Sequence, residues 1–157
     1  MFKNKLVRFF IFLLCNFAAL GLGIFLMQDG PRTNWYLELN KAPWTPANWV
    51  FGTAWSAIMV FFSFYMTKLS FQYQFLDKKL IILYTIQWIL NVEWNFLFFN
   101  KHLVITALFA IIFLWLLIGY FTFEYKKKLR LYTLFILPYL VWMTIATSLN
   151  AYIVFNN

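Results

Sequence analysis

Five long apolar runs constrain this chain more than any other feature. They lie near Leu6–Met27, Trp49–Leu69, Leu80–Phe99, Leu103–Phe123 and Leu131–Phe155. Each approaches or exceeds the roughly 20 residues that a helix needs to cross the hydrocarbon core of a bilayer. A helix satisfies all its own backbone polar groups, which lipid requires of any spanning segment. The short alternating segments of a transmembrane β-barrel do not occur. The expected fold class is therefore an all-α membrane protein, a five-transmembrane-helix bundle. Residues 1–157 form one domain, with helices at 6–27, 49–69, 80–99, 103–123 and 131–155 and a long first loop at 28–45.

Composition agrees. Of the 157 residues, 64% are hydrophobic and only 11% charged, against about 45–50% and about 25% in a soluble domain. The net charge of +8 would suit nucleic acid in a soluble protein, but its placement explains it otherwise. Lys3, Lys5, Arg8, Lys68, Lys78, Lys79, Lys126, Lys127, Lys128 and Arg130 fall on one side if five helices alternate, and Arg32, Lys41 and Lys101 on the other. That asymmetry follows the positive-inside rule. It puts the N-terminus in the cytoplasm, and the first loop and C-terminus on the opposite side of what is read as a bacterial cell membrane. The expected partner is the lipid bilayer, with no nucleic acid. The first run has a basic start, but it is too long for a signal-peptide core and no A-x-A site follows, so a retained helix is expected.

One cysteine, Cys15, excludes an intramolecular disulfide and any multi-cysteine metal site. The single histidine, His102, reads as an interfacial residue in a short connection. No metal site is expected, and no nucleophile–base pair or cofactor motif stands out. The first loop carries Trp35, Tyr36, Leu37, Leu39 and Trp44, a composition that fits an interfacial anchor and a lid over a binding site equally. Thr45-Pro46 reads as an N-cap followed by proline in the first helical turn.

On the third apolar run, Tyr84, Gln87, Asn91 and Asn95 recur on one helical face. Polar groups at such depth face the bundle interior, as interhelical glue or as points on a cavity wall. Glu93 points away from them, beside Ile82, Ile86 and Ile89. It reads as an interfacial or protonated acid, or as part of a dimer contact. On the fifth run, Tyr139, Trp142, Ala146, Leu149 and Ile153 share a face bordered by Asn150, and Pro138 should loosen the helix one turn earlier. On the second, Phe51, Trp55, Met59, Phe62 and Met66 line one side. If these faces converge, they form an aromatic pocket with a few amides, suited to a planar apolar ligand. In the first helix, Cys15, Ala19 and Gly23 make a small-residue strip that permits close packing.

Trp35-Tyr36 followed by KAPWTPANWVFGTAW (41–55) resembles the TspO/MBR family, the tryptophan-rich sensory proteins related to the mitochondrial translocator protein. LNVEWNFLFF (90–99) and LPYLVWMTIATSLNAYI (137–153) are similar to its third-helix and fifth-helix motifs. The resemblance implies a five-helix bundle, usually a homodimer, with a cavity open toward the first loop and porphyrin, haem or sterols among its ligands. It implies ligand-binding roles for Trp44, Trp55, Asn91, Trp94, Tyr139, Trp142, Ala146 and Leu149, with Asn150 alongside, and a lid made of Trp35 and Trp44. No cofactor is required; porphyrin or haem enters as ligand. Three functions stand side by side: a receptor or transport-associated protein for tetrapyrroles, a light- and oxygen-dependent porphyrin-degrading enzyme using Trp55 and Trp142, and a ligand-free scaffold. Against the family pattern, Ala47 stands for a proline, Ala54 for Val, Ile58-Met59 for Leu-Tyr and Asn100 for Gly. Glu93 and Asn95 stand for less polar residues. The sterol pattern near Leu149 and Tyr152 lacks its final basic residue.

Overall fold

The computed structural model describes residues 4–73, 75 and 77–157; Lys3 of the basic N-terminus lies outside the described residues. Long helices α1 (Lys5–Met27), α3 (Asn48–Gln72), α4 (Lys78–Asn95), α5 (Val104–Leu129) and α6 (Leu137–Asn156) carry the bundle, with a short α2 (Asn34–Glu38) in the first loop. Among the described residues, five segments are long and apolar enough to span a membrane: Lys5–Met27, Asn48–Gln72, Lys78–Asn100, Val104–Phe135 and Leu137–Asn156. Helix contacts run α3–α1–α4–α5–α6, and α6 closes the ring by touching α3 only sparsely.

Side chains set several boundaries. Asn4 caps α1 by accepting from the Leu6 N–H at 2.9 Å, and Asp77 caps α4 by accepting from Leu80 N–H at 3.0 Å. α3 starts later than Thr45-Pro46 predicts. Its N-cap is Ala47, which offers no side-chain acceptor, while the Thr45 hydroxyl donates to the Ala42 carbonyl at 2.6 Å within a turn. The last helix also starts later than residue 131. Residues Arg130–Phe135 form a 3-10 segment, and Pro138 sits in the first turn of α6. Proline lacks an N–H and clashes with the carbonyl four residues back, so here it begins a helix and does not loosen one. α4 ends in a π-helical turn, Phe96–Asn100.

The buried stripe of α1 is Arg8, Phe12, Asn16, Ala19 and Gly23, spaced to put one face against α3 and α4. Its small residues allow close approach: a Cβ on Gly23 would lie 2.8 Å from Asn95 Nδ2. Trp88 Nε1 donates to the Cys15 carbonyl at 2.9 Å. Arg8, counted by sequence among the basic residues of one membrane side, turns inward. It donates to the Ser70 carbonyl and hydroxyl, with its guanidinium 3.9 Å from the centre of the Phe71 ring.

The densest packing joins the second half of α3, the second half of α5 and the start of α6, where Phe62, Tyr65, Ile118, Phe121, Tyr139 and Met143 are shut off from solvent. Tyr65 Oη donates to the Phe121 carbonyl at 2.6 Å. A smaller cluster, Phe98, Ala107 and Ile153, lies beneath Trp35, Tyr36 and Leu39 of the first loop, and Trp94 packs against both clusters. The loop approaches α4's π-turn so closely that a Cβ on Gly30 would lie 2.5 Å from Phe99 Cβ. Gly30→Ala should therefore undock the loop at a cost of about 1–3 kcal/mol. Faster tryptic cleavage of the first loop, with the helices intact by circular dichroism, is the expected readout; unchanged cleavage would contradict this docking.

Candidate functional site

The site is built where α4 and α6 exchange hydrogen bonds and α3 closes over them with aromatic rings. The Tyr139 hydroxyl, on a fully buried ring, accepts from Gln87 Nε2 at 2.8 Å and from Asn91 Nδ2 at 3.2 Å. One turn further along, Trp94 Nε1 donates to Asn150 Oδ1 at 3.0 Å, and Asn150 Nδ2 donates to the Val104 carbonyl at 3.1 Å, tying α4, α6 and α5 together. Tyr84 turns the other way and donates to Asn16 Oδ1 at 2.6 Å, while Asn16 Nδ2 reaches Ser63 Oγ at 2.9 Å. Asn95 folds back onto its own helix, donating to the Asn91 carbonyl at 3.2 Å. The polar face of α4 thus fans out to its neighbour α1 and, across the bundle interior, to α6.

From α3, Trp55 meets the Tyr139 ring edge-on, centroids 5.9 Å apart, and Phe51 meets Trp142 edge-on at 5.4 Å. Trp55 is half-buried and Trp142 buried, so both predicted indoles belong to the interior. Partly buried Ala146 and Trp94 pack against the same core, and Leu149 is buried further along the face. The parts do not saturate one another. Among the described residues, Gln87 Oε1, Thr133 Oγ1, Trp142 Nε1 and Thr147 Oγ1 are buried without a hydrogen-bond partner. Each such group costs roughly 1–3 kcal/mol. Two of them, an acceptor on Gln87 and a donor on Trp142, lie beside Tyr139, where α3, α4 and α6 meet.

The first loop is fastened over one end. Trp35 stacks on His102 with centroids 3.9 Å apart and an interplanar angle of 10°. Tyr36 packs on Phe98 and Phe99, and burial raises its phenol pKa above the ordinary value, so the ring stays neutral. Lys41 Nζ donates to the Tyr36 carbonyl at 2.7 Å and to the Leu37 carbonyl at 3.1 Å, closing the open end of α2. Asn40 N–H donates to Asn157 Oδ1 at 2.8 Å, clasping the loop to the C-terminus. Trp44 stands apart from the interior rings: it is 54% exposed, and its Nε1 donates to Ser148 Oγ at 3.1 Å, strapping the loop to α6.

Three contributors escaped the sequence-based site. Gln87 lay on the recognised polar face without being assigned to it. Phe51 was on the recognised aromatic face. Asn16 was a lone polar residue in an apolar run, which was the available signal. Among the described residues no group of His, Cys, Asp or Glu gathers to hold a metal.

Five membrane-crossing helices around an aromatic and amide interior, capped by a docked loop, define an integral membrane protein with its polar chemistry turned inward. Residues 11–155 match the TspO/MBR family, and the chain belongs to it. It is 30% identical over 142 residues to a tryptophan-rich sensory protein of Cereibacter sphaeroides, covering 90% of this chain and 86% of that one. It is 31% identical over 134 residues to the tryptophan-rich protein TspO of Archaeoglobus fulgidus, covering 84% and 86%. The human translocator protein is 28% identical over 141 residues, covering 84% and 82%.

Proposed function

We propose that this protein is a membrane receptor or transport-associated protein that takes a porphyrin, haem or similar planar apolar molecule between α3, α4 and α6. The observation that carries the reading is the unpaired Trp142 N–H and Gln87 carbonyl, buried among the aromatic rings where α3, α4 and α6 meet. A ligand parting that junction would offer its face to Trp55 and Trp142 and its polar edge to Gln87, Asn91 and Tyr139. Ala146 leaves room beside Trp142, Trp94 and Leu149 complete the wall, and the loop bearing Trp35 and Trp44 covers the opening. The distribution of Lys and Arg supports a cytoplasmic N-terminus in a bacterial cell membrane.

Titrating the purified protein with protoporphyrin IX while following tryptophan fluorescence tests the reading. Saturable quenching that weakens in Trp55→Phe and Trp142→Phe is expected; linear, variant-independent quenching would overturn it. The same samples under illumination distinguish binding from turnover, because bleaching no faster than in buffer removes the enzymatic alternative. For the homodimer, the exposed α4 stripe Ile82, Ile86, Ile89 and Glu93 is the proposed face for a second copy. Light scattering in mild detergent should give twice the chain mass, falling to one in Ile86→Lys; a wild-type monomer would reject it.

A further inference from the structure

Away from the interior site, a groove of about 450 Å³ runs along the outer junction of α5 and α6. Trp115, Leu116, Gly119, Tyr120 and Phe123 line it from α5, and Leu140 and Thr144 from α6. Its polar atoms are already engaged: Trp115 Nε1 donates to Thr144 Oγ1 at 3.0 Å, and Thr144 Oγ1 donates to the Leu140 carbonyl at 3.0 Å. What remains for an occupant is hydrocarbon surface. Along α5 the lining extends from Trp115 to Phe123, about 12 Å at the helical rise. One leaflet of hydrocarbon is about 15 Å deep, half of the core.

The charge sits at one end only. Lys126 Nζ lies 5.6 Å from the centre of the Phe123 ring, and Lys79 Nζ lies 5.3 Å from that of Tyr120. Both rings line the groove, both lysines are exposed, and Lys127 and Lys128 follow in the same exposed turn. Glu124 is the acidic group beside Lys79 and Lys128 lies over the Tyr73 ring, so two cations, Lys79 and Lys126, sit against one carboxylate at the groove. We propose that this groove is a binding site for one anionic phospholipid, with an acyl chain along Leu116, Gly119 and Leu140 and its phosphate between Lys79 and Lys126. A zwitterionic lipid fills the same groove without the phosphate's net charge and is held less well. Gly119 makes the floor, and a Cβ there would meet only Leu140 Cδ1, at 4.0 Å, so the groove can be filled without disturbing the backbone.

The test is native mass spectrometry of the full-length protein from detergent micelles holding equal phosphatidylglycerol and phosphatidylcholine. One retained phosphatidylglycerol is expected. Each lysine near a phosphate gives about a fivefold preference, so Lys79→Gln/Lys126→Gln should lower phosphatidylglycerol retention by roughly 30-fold, to the phosphatidylcholine level. Gly119→Leu should lose both adducts while keeping wild-type helicity and protoporphyrin quenching. Equal retention of the two lipids by the wild type would overturn the proposal, as would phosphatidylglycerol retention unaffected by the lysine pair. Neither outcome touches the porphyrin reading, which rests on other residues.

Discussion

Tyr139→Phe should destabilise the bundle by roughly 2–4 kcal/mol, although it removes a single oxygen. The hydroxyl accepts from two buried amides, Gln87 and Asn91, and phenylalanine would leave both donors without that acceptor. A buried donor that loses its partner costs about 1–3 kcal/mol, more than the net gain of an ordinary hydrogen bond. Tyr84→Phe is the matched control. It leaves one buried acceptor, Asn16 Oδ1, without a partner, while Asn16 Nδ2 keeps Ser63 and Met59, so a smaller loss of about 1–2 kcal/mol is expected. Thermal or denaturant midpoints in one detergent would compare the two. Adding Asn91→Leu to Tyr139→Phe should recover part of the loss, because the cycle removes donor and acceptor together. Equal midpoints for the two tyrosine variants would mean that the Tyr139 network carries no special weight.

Trp142→Phe should separate stability from binding. In the free protein the Trp142 N–H is buried without a partner, so removing it relieves a cost of about 1–3 kcal/mol. The smaller ring gives up some packing against Phe51, and the thermal midpoint should hold or rise. Binding should move in the other direction. Losing the hydrogen bond that a ligand could accept from this N–H weakens affinity by about two- to tenfold. Trp142→Ala, which also removes the flat platform, should cost about 1–3 kcal/mol of affinity, the scale known for aromatic stacking on a base. Stability and affinity falling together would make Trp142 a packing residue. Opposite signs would make it a binding residue whose free-state cost is offset by ligand.

The polar face of α4 shows how far spacing carries an argument. Tyr84, Gln87, Asn91 and Asn95 were recognisable as one face because helical periodicity is local. Their partners were not: Tyr84 turns to α1, Gln87 and Asn91 to α6, and Asn95 to its own backbone. Which neighbour a side chain meets depends on how each helix is rotated and how closely the next one approaches. Here the approach of α1 is set by Gly23, and Asn95 lies against it. The tryptophans divide likewise. Trp55 and Trp142 reach the interior, whereas Trp44, from the same 41–55 stretch as Trp55, fastens the loop to Ser148. The loop's docking on Phe98 and Phe99 depends on a π-turn that no local propensity announced.

The amino-acid order alone determined that the chain crosses the membrane five times, because apolar runs of that length must satisfy their own backbone groups and in lipid a helix does so. It also determined the family, because its motifs are linear strings. Only the tertiary structure decided which buried polar atoms pair and which stay unpaired. That outcome depends on contacts between helices distant in sequence, and Tyr139, fifty-two residues from Gln87, found its partner only once α4 and α6 faced each other across the bundle interior.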